Sequence, residues 1–194
     1  LNGLAPAFFP GRMLGSCRVG DLLAGTAAIE EYVPLVGSVF QNPKTQYFNV
    51  DTTAELAFPC ENVGMPSAEI RSRVLDCARR FGLTGLMDRS IFRLSGGEKQ
   101  RISIARSLLK HASVLLADEA TAALDAQTAH QVTDDILSLS GVTRIVVTHT
   151  LEQAALRRYD GILVLKDGRI AESGSFDDLM AQKGYFYALY TVSQ

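Results

Sequence analysis

The segment Leu94–Gln100 (LSGGEKQ) places a serine and two glycines at a predicted helix start. Such a start presents backbone N–H groups without partners inside the helix, together with the positive end of the helix dipole. Because glycine lets a ligand approach the backbone closely, Ser95, Gly96 and Gly97 suit the terminal phosphate of a nucleotide. Taken alone, these three residues are more typical of an ordinary serine-capped helix.

Two carboxylates follow an apolar run further along the chain. Val114–Ala117 predicts a buried parallel strand, and Asp118 and Glu119 come directly after it. A carboxylate at this position can hold Mg²⁺, because that ion favours one or two carboxylates plus phosphate oxygens. The neighbouring Glu119 can polarise an attacking water, a role worth typically about 10²–10⁴ in rate.

Alternating strands and helices must position these residues. Apolar and β-branched runs predict strands over 33–40, 114–117 and 143–148, and a hairpin of 161–165 with 169–172. Helical periodicity and caps predict helices over 68–81 after Ser67, from Gly96-Gly97 onwards, over 126–139 after Asp125, near 151–157, after Ser175, and over 185–190. This alternation predicts a layered α/β core, interrupted by a mostly helical insert between about Pro43 and Lys110.

Composition and charge exclude several classes of function. The formal net charge of −2 offers no general attraction for nucleic acid or for an anionic membrane surface. No apolar run approaches the roughly 18 residues of a membrane-spanning helix, and no leader for secretion is expected. The three cysteines are widely spaced without a C-x-x-C pair, which favours reduced thiols over a metal or redox site.

The motifs along the chain together resemble those of the nucleotide-binding domains of ABC transporters. The matches are LSGGEKQ to the signature motif, LLADE at 115–119 to Walker B with its glutamate, Ala123–Asp125 to the D-loop, Thr148-His149 to the switch histidine, and Phe40–Pro43 to the glutamine loop. Their order and spacing agree with that family, and the resemblance covers essentially the whole chain.

The resemblance implies a fold and its division. The fold would be α/β, a RecA-like P-loop NTPase core with a predominantly parallel sheet and an inserted helical subdomain. Residues 1–42 would form the N-terminal part of the core, residues 43–110 the helical subdomain with the signature motif, and residues 111–194 the C-terminal part of the core.

The resemblance also implies ATP and Mg²⁺ as cofactors, with a role for each matching residue. Asp118 would help to hold Mg²⁺, and Gln41 would sense the metal and the water. Glu119 would act on the attacking water, and His149 would contact the γ-phosphate. The reaction would be phosphoryl transfer to water, driven mainly by positioning and charge stabilisation.

The implied partners are a second ATP-binding cassette and transmembrane transporter subunits, with no nucleic acid. Two cassettes would face each other head to tail, in a homo- or heterodimer. Ser95, Gly96, Gly97 and Gln100 would then serve the ATP held by the opposite subunit, and Asp125 would act across the interface. This implies a cytoplasmic chain, held peripherally on the inner face of the cell membrane by its partners.

A finer resemblance points to the ATPase subunits of energy-coupling-factor importers for vitamins and transition metals. Members of that group often carry Q-N-P, then glutamine and an aromatic or aliphatic residue as in Gln46-Tyr47, then A-F-x-x-E-N as in Ala57–Asn62. Thr52–Glu55 matches their acidic stretch only approximately, and Glu172–Tyr190 looks more like exporter cassettes. Import and export therefore both stay open.

The sequence departs from the family at the phosphate-binding loop, since the 194 residues contain no G-x-x-x-x-G-K-[ST]. That loop supplies the backbone cradle and the lysine for the β- and γ-phosphates, and a hydroxyl ligand for Mg²⁺. The chain could be a fragment of a complete cassette or a natural short protein, and its start at Leu1 favours the fragment. We expect no appreciable ATPase activity from the chain alone.

Two other functions stay open. A non-transport ATPase of the same superfamily is less favoured, because DNA-maintenance members place a long coiled coil before the signature, whereas residues 42–93 hold no heptad run. A non-catalytic module could instead donate its signature motif to a partner's ATP. Nucleotide binding by the chain alone, and again with an intact cassette, discriminates these functions.

Overall fold

A computed structural model describes residue 4 and residues 15–42, 46–109 and 112–193. The chain forms two compact units, Leu1–Val147 and Thr148–Gln194. The helix end and the loop expected within residues 1–14 lie outside the described residues, apart from Leu4. No helix in the described ranges is long and apolar enough to cross a membrane.

The first unit holds five described strands and five described α-helices. The strands are β1 (Arg18–Val19), β2 (Leu22–Leu23), β3 (Val36–Val39), β4 (Val114–Asp118) and β5 (Thr143–Val147). The helices are α1 (Ile29–Tyr32), α2 (Thr52–Asn62), α3 (Ser67–Arg80), α4 (Gly96–Leu109) and α5 (Ala126–Leu137). Two 3-10 turns, Thr84–Leu86 and Ile91–Arg93, lie between α3 and α4.

The central sheet is parallel, in the order β3-β4-β5. Val39 lies opposite Ala117, and Asp118 lies opposite Val147, so all three strands end at the same edge. In β4 the side chains of Leu115 and Ala117 are buried, as expected for a central strand of an α/β sheet. The predicted parallel α/β core is confirmed.

Helix α4 lies directly against β3. A Cβ added at Gly37 would stand 2.8 Å from the Ser107 carbonyl oxygen, so only glycine permits this approach of helix to strand. The Ser107 hydroxyl also donates to the Ser38 carbonyl at 3.2 Å. Helices α2, α3 and α4 pack together and bury apolar side chains that include Leu56, Val74 and Ile102.

Several predicted boundaries were wrong. Ser67 is the first residue of α3 and not its cap, because Pro66 holds the N-cap position without a side-chain hydrogen bond. Strand β3 begins at Val36 and not at residue 33, because the Leu35 amide donates to the Tyr32 carbonyl in a turn after α1. Helix α5 ends at Leu137, two residues before the predicted end.

The second unit contains α6 (Gln153–Leu156), β6 (Ile162–Lys166), β7 (Arg169–Gly174), α7 (Phe176–Gln182) and α8 (Tyr185–Ser193). Strands β6 and β7 form the predicted hairpin, with positive φ angles of 50° at Asp167 and 74° at Gly168. Ser175 caps α7 as predicted, accepting from the Asp178 amide. Tyr190 packs edge-on against Phe176, with ring centroids 5.3 Å apart.

The division of the chain into two core parts and a helical subdomain, with boundaries at residues 42/43 and 110/111, stays a prediction. Helices α2, α3 and α4 do lie between β3 and β4 along the chain and pack on one another, as a helical insert requires.

Candidate functional site

Glu119 stands at the carboxyl end of the central strand in an uncommon backbone conformation. Its φ is 47°, and non-glycine residues enter this left-handed region at a cost of about 1–3 kcal/mol. The backbone there is still held to the sheet, since the Glu119 amide donates to the Val147 carbonyl at 2.9 Å. Outliers of this kind concentrate at functional sites, where the surrounding structure over-determines them.

Gln41 and Glu119 are brought together across 78 positions of sequence. Gln41 lies just beyond β3 and Glu119 just beyond β4, so the two side chains meet at one edge of the sheet. The Gln41 Nε2 donates to the Glu119 Oε2 at 3.0 Å. This hydrogen bond joins the predicted glutamine loop to the predicted catalytic carboxylate.

The oxygen donors at this edge fit a magnesium ion. Asp118 ends β4 with an exposed side chain. The Gln41 amide donates through its nitrogen, so its oxygen is the atom that could serve a cation. Mg²⁺ takes one or two such protein oxygens and completes its shell with water and phosphate. Within the described ranges, no group of three or more His, Cys, Asp and Glu side chains could hold a metal ion.

The start of α4 is closed by a reciprocal cap. The Glu98 amide donates to the Ser95 Oγ at 3.3 Å, and the Ser95 amide donates to a Glu98 carboxylate oxygen at 2.7 Å. The Ser95 amide is the main cause that holds the pKa of the Glu98 carboxyl below its ordinary value. A phosphate that used the Ser95 amide would therefore have to displace the Glu98 carboxylate.

The two glycines of the predicted signature motif lie in different surroundings. Gly96 is exposed, and a Cβ there would meet the Leu124 Cδ2 at an ordinary 3.4 Å. Gly97 is buried, and a Cβ there would meet the Thr128 Cγ2 at 2.1 Å. The Thr128 methyl group thus leaves room only for glycine at 97 before any ligand is considered. The nucleotide contacts predicted for both glycines stay predictions.

Gln100 points into the protein. Its side chain belongs to a residue only 1% exposed, and its Nε2 donates to the Phe40 carbonyl at 3.2 Å. It therefore links α4 to the residue that precedes Gln41. Its predicted contact with nucleotide stays a prediction.

A buried ion pair near this link had no sequence signal. Glu55 of α2 is fully buried and pairs with Arg106 of α4, 51 positions away. One Glu55 carboxylate oxygen also accepts the amides of Phe48 at 3.0 Å and Asn49 at 2.9 Å. Arg106 in turn donates to the Gln46 side chain at 3.2 Å. The pair thereby fastens the segment after the glutamine loop to both helices.

Tyr47 adds a further link to the same segment. Its hydroxyl donates to the Lys99 carbonyl at 2.6 Å, and burial raises the pKa of its phenol. The segment 46–49 is therefore tied to α4 close to the signature motif, although a lone Gln-Tyr pair indicates no such role by itself.

Asp125 caps α5 as predicted. Its Oδ1 accepts the Thr128 amide at 3.0 Å, and its side chain is exposed. Hydrogen bonds from the Thr128 hydroxyl and amide hold the pKa of the Asp125 carboxyl below its ordinary value. Its predicted action across a subunit interface stays a prediction.

His149 lies in the second unit, just after β5, with an exposed side chain. The adjacent Thr148 hydroxyl accepts the Thr150 amide at 3.0 Å and turns the chain at this point. The predicted contact of His149 with a γ-phosphate stays a prediction.

Comparison with known proteins gives concordant matches in sequence. The family model described as ABC transporter matches residues 21–122. A putative ABC transporter ATP-binding protein of Treponema denticola is 34% identical over 172 residues, which cover 88% of this chain and 35% of that protein. The energy-coupling factor transporter ATP-binding protein EcfA1 of Streptococcus thermophilus is 35% identical over 182 residues, covering 88% of this chain and 65% of that protein. The chain thus spans about a third of the length of several curated relatives.

Two solved structures are similar in fold and in sequence. CbiO1 of Clostridium perfringens, described as part of the ABC transporter complex CbiONQ, matches with a TM-score of 0.71 and 29% identity, covering 84% of this chain and 66% of that one. A dimeric ATP-binding cassette in a post-hydrolysis state with bound ADP and Pi matches with a TM-score of 0.70 and 26% identity, covering 84% of this chain and 73% of that one.

Proposed function

Because this chain belongs to the ABC transporter family, we propose that it is part of an ATP-hydrolysing subunit that powers transport by membrane partners. The observation that carries the proposal is the hydrogen bond from Gln41 to Glu119 at the strand ends, with Glu119 held at a φ of 47°. Such an arrangement supports a pre-positioned base beside a metal-binding carboxylate.

The chemistry proposed for this edge is phosphoryl transfer from ATP to water. Glu119 orients the attacking water and accepts its proton, and the Gln41 amide fixes the direction of that carboxylate. Asp118 and the Gln41 amide oxygen would hold Mg²⁺, which neutralises charge on the phosphates when it is bound. His149 would stabilise the transferred phosphoryl group.

The start of α4 would serve the ATP of a second cassette in a head-to-tail dimer. The chemistry of a helix start supports this role, since the N-terminus of a 14-residue helix presents backbone amides and the positive end of the helix dipole. The Glu98 carboxylate holds one of those amides until a phosphate replaces it. The exposed Asp125 would act from the same side of the interface, and the buried Gln100 would support the helix start through its hydrogen bond to Phe40.

The transporter setting rests on the named relatives. EcfA1 is a transporter ATP-binding protein, and CbiO1 is described as part of a transporter complex. Their similarity supports an importer of the energy-coupling-factor type, with the chain held on the inner face of the membrane by its partners.

A second candidate function is a non-catalytic module that donates the start of α4 to another cassette's ATP. The observation that favours it is the start of α4, where Ser95 and Gly96 are exposed and the Ser95 amide is held by the Glu98 carboxylate of the same helix. No contact within the described ranges favours a non-transport ATPase.

A chimaera separates these functions. The chain is joined downstream of the phosphate-binding loop of an ABC cassette, and Mg²⁺-dependent ATP hydrolysis is measured at saturating ATP. An ATPase role predicts turnover by the chimaera that Glu119→Gln removes. A chimaera that is folded and binds ATP but does not hydrolyse it would contradict an ATPase role and favour the donating module.

A further inference from the structure

The start of α4 and the start of α5 meet at a single side chain, that of Thr128. A Cβ at Gly97 would lie 2.1 Å from the Thr128 Cγ2, but 3.4 Å from its Cβ and 3.6 Å from its Oγ1. Only the methyl group conflicts with a larger residue, since the other two distances are ordinary contacts. The methyl therefore fills the space that the glycine leaves.

The other half of Thr128 faces Asp125. Its amide donates to the Asp125 Oδ1 at 3.0 Å, and its hydroxyl donates to the same carboxylate. A depressed pKa of the Asp125 carboxyl agrees with these two hydrogen bonds, because both favour the charged form. One residue thus contacts the loop before α5 through its polar atoms and α4 through its methyl group.

We propose that Thr128 is a positioning residue that joins the loop Ala123–Asp125 to the start of α4, so that Asp125 and the segment Ser95–Gly97 are held as one block. The contact itself stands on the described geometry alone. The functional role of this contact rests on the proposed function, in which Asp125 and the segment Ser95–Gly97 both face the nucleotide of a second cassette. A fixed block would then present the carboxylate and the helix start in one constant arrangement.

The alternative is that Gly97 is glycine only to let a ligand approach. The two accounts differ in the chain without ligand. If Gly97 serves only ligand approach, the folded chain without ligand would tolerate Gly97→Ala, since alanine is the better helix former. If the Thr128 methyl group requires glycine at 97, Gly97→Ala would destabilise the chain, because the added Cβ overlaps that methyl group.

The first test is a set of melting curves of the purified 194-residue chain. Gly97→Ala is made in the natural background, in Thr128→Ser, which removes the methyl, and in Thr128→Val, which keeps it. We expect a fall in melting temperature on the order of 5 °C in the natural and Thr128→Val backgrounds, and about none in Thr128→Ser. Gly96→Ala is the matched control, with no comparable fall expected. An equal fall in all three backgrounds, or no fall in the natural one, would overturn the proposal.

The second test follows the Asp125 carboxyl by carbon-13 NMR titration, with Asp125→Asn to assign its signal. We expect Thr128→Val to raise its pKa towards the ordinary value for aspartate, and Thr128→Ser to leave it low. We also expect Gly97→Ala to raise this pKa in the natural background but not in Thr128→Ser. The last result would show transmission from α4 to Asp125, which a purely local packing role does not produce.

An unchanged Asp125 pKa in both Thr128→Val and Gly97→Ala would overturn the proposal. These readouts need no nucleotide or partner. An inactive chimaera would therefore contradict the ATPase role while the melting curves and titrations still decide the role of Thr128.

Discussion

The strand-end site and the start of α4 hold their key groups in opposite ways. At the strand ends, Gln41 and Glu119 are aimed at each other across neighbouring strands, and Asp118 is exposed beside them. At the start of α4, Ser95 is occupied by Glu98, and Gly97 is covered by Thr128. The strand-end side chains are aligned with each other in the chain without ligand, whereas a phosphate bound at the start of α4, as we propose, would have to replace an internal carboxylate.

Substitutions at the two regions should therefore affect different steps of the proposed reaction. A change near Glu119 alters a group that is already positioned, so its effect should fall on the chemical step. A change near Ser95 alters the competition between Glu98 and a phosphate, so its effect should fall on binding and on helix stability.

The largest expected effect on stability comes from breaking the ion pair that fastens residues 46–49 to α2 and α4. Glu55→Gln leaves the largely buried Arg106 without a charged partner, and breaking a buried pair costs about 3–5 kcal/mol of unfolding free energy. Urea unfolding measures this loss, with the exposed Glu61→Gln on the same helix as the control. A loss no greater than that of the control would mean that the ion pair does not stabilise the packing of residues 46–49 on α2 and α4.

A smaller loss is expected where α4 rests on the sheet. Gly37→Ala places a Cβ 2.8 Å from the backbone oxygen of Ser107, and overpacking of this kind costs about 1–3 kcal/mol. Gly85→Ala is the control, because nothing lies within 4 Å of a Cβ there. Equal unfolding free energies for the two variants would refute the close contact between β3 and α4.

The cap of α4 should give the smallest loss of stability. Ser95→Ala removes the hydroxyl that accepts the Glu98 amide, which costs about 1 kcal/mol at a typical N-cap. This substitution should weaken the start of α4 and leave the Gln41–Glu119 hydrogen bond unaltered. A loss well above that of Glu55→Gln would reverse the expected order.

The same cap predicts a dependence on pH. Because the folded-state pKa of Glu98 is lowered, its stabilising contribution is complete above its ordinary value of 4.5 and is lost as pH falls through the folded-state value. Between pH 7 and pH 3, the melting temperature of Glu98→Gln should therefore fall less steeply than that of the natural chain. Identical slopes would show that the Ser95–Glu98 hydrogen bonds are absent in solution.

Local patterns predicted what local interactions decide. The apolar run of β4 predicted a buried central strand, and Asp125 and Ser175 predicted helix caps, because each depends on residues within one turn. Family motifs likewise assign Gln41 and Glu119 to the same attacking water, and the two side chains form a hydrogen bond in the structure. Helix α2 was not predicted as a separate element, and Pro59 within it is a residue type that usually interrupts helices.

Contacts between distant segments could not be predicted from the sequence. The Glu55–Arg106 pair joins two helices far apart along the chain, and neither residue stands in a pattern that names its partner. Gln100 reads as part of the signature motif, yet its burial follows from how α4 lies on the segment before Gln41. The fit of the Thr128 methyl group against Gly97 depends on the approach of α4 to α5, and no local sequence pattern predicts it.

The proposed role of Glu119 is tested by the effect of Glu119→Gln on ATP turnover by the chimaera, with Glu61→Gln as the control. We expect kcat to fall by at least about 10²-fold while ATP binding is retained, because the lost group acts on the attacking water. Unchanged turnover in Glu119→Gln, or an equal fall in both variants, would contradict the assignment of Glu119 as the catalytic base.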